Sequence, residues 1–562
     1  MEAQGNGPGP ADVAQAETSV FARKSSGLVK ELGALQSFSI NLISLGPGPA
    51  FGLFFVILVL VPGVNLLYAT LLAGLIAVPI VITYTVMAVE VPRSGGEYVY
   101  ASRLMHPYFG LVSGLSRVVN VIIYAGVLPY WFIWLAVGPA LASWGALANH
   151  PALFNLGNNW SLVNTGLLSG ADNATAQFQV MVIGEILTAV IAVLWIAMKP
   201  RLAFNVFTAL LFIEVLGLIT TVVALLALGH AGFVSTVNSY MAANGYSGSF
   251  YQDVSAYGAS LGAYGSNLGN TLTFVPLVFA FYFMFTTAPN YIAGEFRRTG
   301  RSVRLGMAVS FLLAVVFSVA VILVFENVVG MDFLNGLSAG LYPAVFTTPP
   351  PGFLPFSPGF ATLPMFAAHG SDIVMGLIFL GAASWYLLWI VLGLYIFSRY
   401  VLSFSLDRLL PRQMSAVLRS THQPYAGIIA VSVAGLVLFP IVTYYYASVY
   451  APLVYLLFFL PMVSVTLTSI SLLLHGRKVH RPGFMVAGGV SAAITAVAAY
   501  LVSTLPDLGG AAGFTLSNQT TSYVTIAAVF VGSAVWYVVL RWLNRQRRGI
   551  DIALAFKELP PD

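Results

Sequence analysis

The residues best suited to chemistry in this chain interrupt two long apolar segments. Gly46–Pro49 reads Gly-Pro-Gly-Pro, so two prolines that cannot donate a helical hydrogen bond each follow a flexible glycine. Thr286–Pro289 reads Thr-Thr-Ala-Pro, with β-branched threonines before the proline. An interrupted helix exposes N–H groups that suit a carboxylate at one end and C=O groups that suit an ammonium at the other. The breaks predict a zwitterion site; the alternative is that the prolines only kink these helices for packing.

The elements that position these breaks are predicted to be membrane spans. Of the 562 residues, 58% are hydrophobic and only 8% are charged, against roughly 25% charged in a soluble protein. Apolar runs of about 20 residues recur, and each is long enough to cross a hydrocarbon core of about 30 Å. The lipid bilayer is therefore the expected solvent. The chain has no cysteine, so it offers neither a disulfide framework nor thiolate metal ligands.

The apolar segments predict twelve transmembrane helices. They lie near residues 34 to 60, 64 to 90, 108 to 145, 179 to 198, 204 to 229, 271 to 294, 305 to 328, 371 to 402, 426 to 446, 450 to 474, 484 to 504 and 523 to 543. The two breaks fall in the first and sixth spans, five helices apart. A repeat of five spans must have inverted topology, and matching interruptions in two such halves are typical of a secondary transporter site.

This count divides the chain into five parts. They are a cytoplasmic tail (1–30), a first five-helix repeat (31–229), a second, inverted repeat (271–474), helices 11 and 12 (484–543) and a C-terminal tail (544–562). With both termini in the cytoplasm, all 24 Lys and Arg residues fall on the cytoplasmic side. This bias predicts a multi-pass protein of the cytoplasmic membrane, and it accounts for the net charge of +5 without a nucleic-acid partner.

The chain resembles the amino acid–polyamine–organocation superfamily of permeases. The resemblance rests on Gly46–Pro49, on Pro92–Tyr98, which is similar to the family's Pro-x-Ser-Gly-Gly-x-Tyr, and on Phe281–Arg304 with its basic loop. It covers roughly residues 25 to 545. It implies an all-α membrane protein of the leucine-transporter-like fold, with five-plus-five inverted repeats, discontinuous helices 1 and 6 and two additional helices. It also implies amino acid transport by alternating access.

The resemblance also implies roles for the two breaks. The substrate carboxylate would meet amides around Gly46 to Ala50, its ammonium would meet carbonyls near Phe281 to Phe285, and Phe281 would close over it as a gate. The candidate substrate-binding residues lie at the breaks and on the third and eighth helices. They are Ser44, Gly46, Pro47, Gly48, Pro49, Ala50, Phe51, Phe281, Phe285, Thr286, Thr287, Ala288, Asn120, Tyr124 and Ser384.

Some positions depart from the family pattern. Prolines at 47 and 49 remove amide donors, so the carboxylate would depend on the amides of Gly46, Gly48, Ala50 or Phe51. Thr287 falls where some antiporters of the family carry a glutamate, which disfavours their exchange mechanism. Ser384 is a lone hydroxyl where a sodium site usually has two. The lone hydroxyl favours proton coupling or exchange over sodium as the coupling ion. Glu214 is the polar residue nearest to where the family often carries a lysine that replaces a sodium ion, and this exchange of a cation for an acid leaves the coupling open.

Two acids inside predicted spans are candidate coupling residues, because an ionisable side chain at membrane depth costs several kcal/mol. Glu214 shares a helix face with Gly217 and Thr221. It is interpreted either as a proton carrier or as a permanently protonated carboxyl bonded to a neighbouring helix. Glu185 lies nearer the end of its helix, where a structural role is favoured.

Other polar residues allow two interpretations. Arg117, Asn120 and Tyr124 are spaced i, i+3 and i+7, so they form one polar stripe that faces the transport pathway, unless Arg117 pairs with an acid for structural reasons. Glu90 and Glu97 are predicted to pair with Arg93 or Arg103 in a cytoplasmic gate or scaffold.

The function predicted from these features is secondary active transport of amino acids by proton coupling or exchange. Neutral amino acids are favoured because no acid lies within several residues of either break. The alternatives are a polyamine or cationic solute transporter of the same fold, or an ion-conducting protein. A membrane-embedded enzyme would need a His, Asp or Cys cluster at membrane depth, which the sequence lacks. No cofactor and no metal site are predicted.

Overall fold

Helices form nearly all of the regular structure, because inside hydrocarbon each backbone polar group must be satisfied within the protein. The computed structural model describes residues 27–160, 174–341, 362–368, 370–449, 482–504 and 516–557. Within those ranges eight helices are long and apolar enough to cross a membrane, and the only strand-like pairings are two isolated bridges.

The helices are numbered in chain order. Those of the N-terminal half are α1 (Ala34–Leu45), α2 (Pro49–Ile57), α3 (Leu66–Glu90), α4 (Gly96–Leu104), α5 (Pro107–Trp131), α6 (Gly138–Leu147), α7 (Pro151–Asn159), α8 (Ala174–Ala197), α9 (Pro200–Ala243) and α10 (Phe250–Gly262). Those of the C-terminal half are α11 (Leu268–Phe281), α12 (Thr299–Val324), α13 (Met331–Leu341), α14 (Thr362–Met365), α15 (Asp372–Leu406), α16 (Tyr425–Val449), α17 (Pro482–Thr504) and α18 (Leu516–Arg548).

Every predicted span except one coincides with one or more of these helices. The tenth predicted span, near 450 to 474, lies outside the described residues, so the total of twelve and the inverted repeat stay predictions. The segments between the predicted spans also contain helices, namely α4, α7, α10, α13 and α14. These helices are short and partly polar, so hydropathy alone does not reveal them. The fifth span continues past its predicted end, although Gly229 leaves helical geometry (φ 67°).

The first predicted span is interrupted. α1 ends because Gly46 adopts a left-handed conformation (φ 57°), and its N–H donates to the Leu42 carbonyl at 2.9 Å. α2 then begins with Pro49 at its first position, where the missing N–H removes no helical hydrogen bond. The two prolines and two glycines therefore divide one apolar segment into two short helices.

The sixth predicted span is interrupted as well. α11 ends at Phe281, and Tyr282 departs from helical geometry (φ −127°, ψ −70°). Three short 3₁₀ turns follow, at Phe283–Phe285, Ala288–Tyr291 and Ala293–Glu295. Beyond Phe281 this segment therefore contains no regular α-helix up to α12.

The residues after the second interruption meet the segments just before α1 and α4 at one end of the bundle. The Leu32 N–H donates to the Glu295 carbonyl at 3.1 Å, and the Gly95 N–H donates to the Tyr291 carbonyl at 3.2 Å. This end includes α4 with Arg103 and the last turns of α15 with Arg399. We call it the basic end.

Short helices cover the opposite end. The Tyr264 hydroxyl accepts the Leu66 N–H at 3.0 Å at the start of α3, while the Tyr264 N–H donates to Asp332 at 2.8 Å. Ser338 of α13 donates to the Phe55 carbonyl of α2 at 2.8 Å. The second half of the interrupted first span is thus fixed to the helices that cover it.

The outer faces of the long helices are apolar. Leu75, Val193 and Leu312 are 68%, 66% and 63% exposed, whereas polar residues such as Glu97 and Arg399 are fully buried. A surface of this kind is typical of contact with lipid rather than water.

We expect Gly46→Ala to lower the free energy of unfolding by about 2–5 kcal/mol, combining left-handed strain with overpacking. A Cβ at this position would overlap the indole of Trp385. Gly489→Ala is the matched control, since a Cβ there has no neighbour within 4 Å. The melting temperatures of the purified proteins in detergent test this; equal stability of the two variants would contradict the account of the break.

Candidate functional site

A cavity lies between α1, α5, the turns after α11 and the middle of α15. About 50 Å³ is open to the centres of water-sized molecules, several times the minimum for one water. The lining residues are Ser44, Arg117, Asn120, Val121, Tyr124, Leu128, Phe285, Thr287, Ala288, Tyr291, Trp389, Leu392, Gly393 and Ile396. Both interrupted spans contribute to it, through Ser44 in the last turn of α1 and through residues 285 to 288.

Several residues predicted from the sequence line this cavity. They are Ser44, Asn120, Tyr124, Phe285, Thr287 and Ala288. The sequence analysis missed Tyr291 and Trp389, which lie in apolar, aromatic-rich stretches without a distinguishing spacing. Only the contact between α15 and the second interruption reveals them.

The polar stripe of α5 forms one wall. Arg117, Asn120 and Tyr124 are 3%, 2% and 8% exposed, and all three line the cavity. Arg117 also pairs with an acid, because its Nη2 lies 3.0 Å from Glu97 Oε1. The two interpretations of this residue therefore hold together: it faces the cavity and forms a buried ion pair.

Three rings form a second wall, which we call the aromatic wall: Tyr124, Phe285 and Trp389. The ring centroid of Trp389 lies 4.6 Å from that of Phe285 and 5.9 Å from that of Tyr124. Aromatic faces attract a cation and also pack against an apolar side chain. This wall can therefore accept either the ammonium or the side chain of a small solute.

The C-terminal end of α1 is capped from α15. The indole N–H groups of Trp385 and Trp389 both donate to the Ile43 carbonyl, at 3.0 and 2.8 Å. This carbonyl would otherwise lack a helical partner, since the helix ends two residues later. The two tryptophans thus satisfy a backbone acceptor at the break and fix α15 against α1.

Two of the four amides expected to bind a carboxylate have backbone acceptors. The Gly46 N–H donates to the Leu42 carbonyl at 2.9 Å, and the Phe51 N–H donates to the Gly48 carbonyl at 3.1 Å. Gly46, Pro47, Gly48 and Phe51 all lie outside the set of cavity-lining residues. In this conformation, the amides of Gly46 and Phe51 serve the backbone of the break.

Three other predicted site residues lie beside the cavity without lining it. Thr286 accepts a hydrogen bond from Asn41 Nδ2 at 3.2 Å, and Ser384 donates to the Gly381 carbonyl of its own helix at 3.1 Å. Phe281, the predicted gate, packs against Phe54 with ring centroids 6.4 Å apart.

Below the cavity, Glu97 is fully buried at the centre of a hydrogen-bond network. Its carboxylate accepts hydrogen bonds from Tyr84 at 3.1 Å, from Tyr291 at 2.9 Å and from Tyr400, in addition to Arg117. Burial raises the pKa of Glu97, but the charge of Arg117 and the tyrosine hydrogen bonds outweigh burial and hold this pKa below its ordinary value. The carboxylate is therefore ionised at neutral pH.

The predicted partners of Glu97 are wrong. It pairs with Arg117, and Arg103 pairs with Asp407. The reason lies in the Ser-Gly-Gly motif: Gly95 and Gly96 both adopt positive φ (114° and 50°), which reverses the chain and starts α4 inside the bundle. Glu97 is consequently buried instead of facing the arginines near it in sequence.

Two further buried ion pairs lie at the basic end within the described residues. Arg399 donates to both carboxylate oxygens of Glu295, at 2.9 Å each. Arg103 pairs with Asp407, which also accepts a hydrogen bond from Tyr98. Removing one partner of such a pair leaves an uncompensated buried charge. The pairs therefore fix α4, α15 and the turns after α11 to one another.

The predicted coupling residues differ in their surroundings. Glu214 is 2% exposed, and its Oε2 has no hydrogen-bond partner among the described residues. Thr221 lies on the same buried face of α9, and its hydroxyl also has no hydrogen-bond partner among the described residues. Gly217 and Gly381 bring α9 and α15 into backbone contact beside Glu214. Glu185 is only half-buried.

Comparison with known proteins identifies a family. A family model described as amino acid permease matches residues 32–535. A curated relative, uncharacterized protein 399 of Sulfolobus islandicus rod-shaped virus 1, is 33% identical over 96 residues, which is 17% of this chain and 24% of the viral protein. The chain thus aligns with about a quarter of the length of that relative.

We expect Trp385→Phe and Trp389→Phe to be non-additive in stability. Each single substitution leaves one indole on the Ile43 carbonyl and costs about 0.5–1.5 kcal/mol, whereas the double variant leaves this carbonyl unsatisfied and costs about 1–3 kcal/mol more than the sum. SDS unfolding in mixed micelles measures these values. As a control, Trp385→Phe with Trp195→Phe should be additive, because the Trp195 indole N–H has no partner among the described residues. Additivity in both pairs would contradict the shared cap.

Proposed function

The chain belongs to the amino acid permease family, and from this premise we propose that it is a secondary transporter of small neutral amino acids that works by alternating access. Members of this family are transporters and not enzymes, so the protein is a multi-pass membrane protein with a small-molecule substrate. The observation that carries the proposal is that one cavity is lined by both interrupted spans.

The polarity of the cavity supports a substrate with both charges. Ser44 lies in the last turn of α1, where the helix dipole and the nearby carbonyls favour an ammonium group. The aromatic wall adds cation–π attraction on the same side. Arg117 supplies a positively charged group to the same lining. A zwitterion satisfies both ends at once, whereas a simple amine satisfies only one.

The charge of the lining favours neutral amino acids over polyamines. Among the described residues that line the cavity, Arg117 is the only charged side chain, and no carboxylate is present. A polyamine would place additional positive charges here without counter-charges, at a high desolvation cost. The limited open space, about 50 Å³ for the centres of water-sized molecules, favours a small side chain in this conformation.

Glu214 is the proposed proton carrier. Its carboxyl is buried, and one oxygen has no hydrogen-bond partner among the described residues. A proton can therefore bind this oxygen without displacing a hydrogen-bond donor of the protein. The Gly217–Gly381 contact lies beside it, and any movement of α15 against α9 changes the surroundings of this carboxyl. Sodium is disfavoured because Ser384 is a lone aliphatic hydroxyl among Ala383, Trp385 and Tyr386.

The proposed orientation places the basic end in the cytoplasm. Lysine and arginine accumulate on the cytoplasmic side of membrane proteins, and the basic end holds Arg103, Arg399 and the start of α12 with Arg301 and Arg304. In the cell membrane this orientation would put both termini in the cytoplasm and the α10 and α13 helices outside.

The decisive experiment measures uptake of twenty radiolabelled L-amino acids into proteoliposomes under imposed proton or sodium gradients. We expect saturable uptake of small neutral amino acids driven by an inward proton gradient. With one proton per substrate, a gradient of ~2 pH units sustains about 100-fold accumulation. Failure to transport any of the twenty under either gradient would overturn the proposal.

We expect Glu214→Gln to abolish accumulation but to preserve exchange, because this side chain carries the proton and does not line the cavity. Under the proton gradient, uptake should stop when the substrate concentrations inside and outside the proteoliposomes are equal. The rate of counterflow of labelled against unlabelled substrate should stay within about twofold of the wild-type rate. Glu185→Gln is the matched control and should retain both activities. Accumulation by the Glu214→Gln protein would show that the proton is carried elsewhere.

A further inference from the structure

Arg117 belongs to two structures at once, the cavity wall and the ion pair with Glu97. We propose that Arg117 is the anchor for the substrate carboxylate, and that this contact draws Arg117 from Glu97 and so loosens the closed basic end. The inference rests on the proposed function and specifies its substrate contact. It follows from the donors available in the cavity and from the way Glu97 is held.

The first step concerns positive charge. Within the described lining, Arg117 is the only cation, and its side chain is 4% exposed. A guanidinium stays protonated and presents five N–H donors in a planar fork that matches a carboxylate. The Glu97 contact uses Nη2 at 3.0 Å. A carboxylate that enters the cavity therefore meets a guanidinium that already lies at the wall, and it competes with Glu97 for this group.

The second step concerns the amides of the first break. Pro47 and Pro49 have no N–H. The N–H groups of Gly46 and Phe51 donate to the Leu42 and Gly48 carbonyls. Four of the six residues from 46 to 51 therefore offer no available amide in this conformation. The interrupted helix is a poor anion site here, and the guanidinium takes over that role.

The third step concerns what Glu97 keeps when Arg117 turns away. Tyr84, Tyr291 and Tyr400 all donate hydroxyl groups to its carboxylate. Hydrogen bonds to the charged form stabilise a buried carboxylate. Glu97 therefore retains three donors, so an exchange of partners leaves neither charge without a neighbour. An acid held by the arginine alone would not permit this exchange.

The fourth step links the exchange to the basic end. Glu97 starts α4, and its tyrosine partners come from α3, from the turns after α11 and from α15. Arg117 is the side chain through which α5 joins this network. When a carboxylate takes this guanidinium, the connection between α5 and α4 weakens. The basic end is then loosened when the cavity is occupied, while the Arg399–Glu295 and Arg103–Asp407 pairs remain.

The test compares binding of an amino acid with binding of its carboxamide, which keeps the ammonium and loses the negative charge. The probes are L-alanine, L-leucine and L-phenylalanine with their amides at pH 7, and the pair used is the one whose amino acid the wild type takes up fastest. We expect the wild type to prefer the amino acid. Arg117→Gln should weaken amino acid binding by about 10- to 100-fold and change amide binding by less than about twofold.

Arg103→Gln is the matched control. It also breaks a buried ion pair at the basic end, but Arg103 does not line the cavity. The ratio of amino acid to amide affinity should therefore stay at the wild-type value. If Arg117→Gln keeps the wild-type ratio while the wild type transports amino acids, the anchor is overturned and the transporter function stands. If the wild type transports none of the twenty amino acids, both proposals fall.

Glu97→Gln provides a prediction of opposite sign that does not depend on the folding of the Arg117 variant. Gln has the same shape, its amide oxygen still accepts from Tyr84 and Tyr291, and its amide nitrogen donates to the Tyr400 hydroxyl instead of accepting from it. It no longer competes by charge for Arg117. Amino acid binding should become tighter than in the wild type, and amide binding should not change. A purely structural role of Glu97 predicts weaker or unchanged amino acid binding, and that result would overturn the exchange of partners.

Discussion

A backbone polar group inside hydrocarbon must find a partner, and the structure around the cavity depends on how the interrupted first span meets this constraint. At the end of α1 the Ile43 carbonyl receives two indole N–H groups from α15. The Gly46 N–H is satisfied within α1, and Pro49 begins α2 without needing an acceptor. The break is thus satisfied by other elements, and this brings α15 beside the cavity.

Buried charge imposes a second constraint at the basic end. Arg117 with Glu97, Arg399 with Glu295 and Arg103 with Asp407 connect residues that are far apart in sequence, apart from the first pair. Each ion is costly to bury alone, so each pair fixes the relative position of two elements. Arg117 differs from the others because it also lines the cavity. Occupancy of the cavity and closure of the basic end therefore share one side chain.

Much of this arrangement follows from the sequence because membrane solvation leaves strong local signals. Apolar length predicts the spans, proline in midspan predicts the break after Leu45, and i, i+3, i+7 spacing places Arg117 and Tyr124 on one face. Contacts between distant segments leave no such signal. The partner of Glu97 depends on two positive-φ glycines that redirect α4, and the place of Trp389 in the cavity depends on capping of α1.

The central claim is that the cavity between the interrupted spans is the transport site, and the lack of cysteine allows a direct measurement. Ser44→Cys and Ser384→Cys are near-isosteric substitutions of buried serines, of which only Ser44 lines the cavity. The labelling rate with a small cationic thiosulfonate is measured in proteoliposomes with and without a transported amino acid. The account predicts that the amino acid slows labelling at position 44 and has no effect at position 384. Equal labelling at position 44 with and without substrate would contradict it.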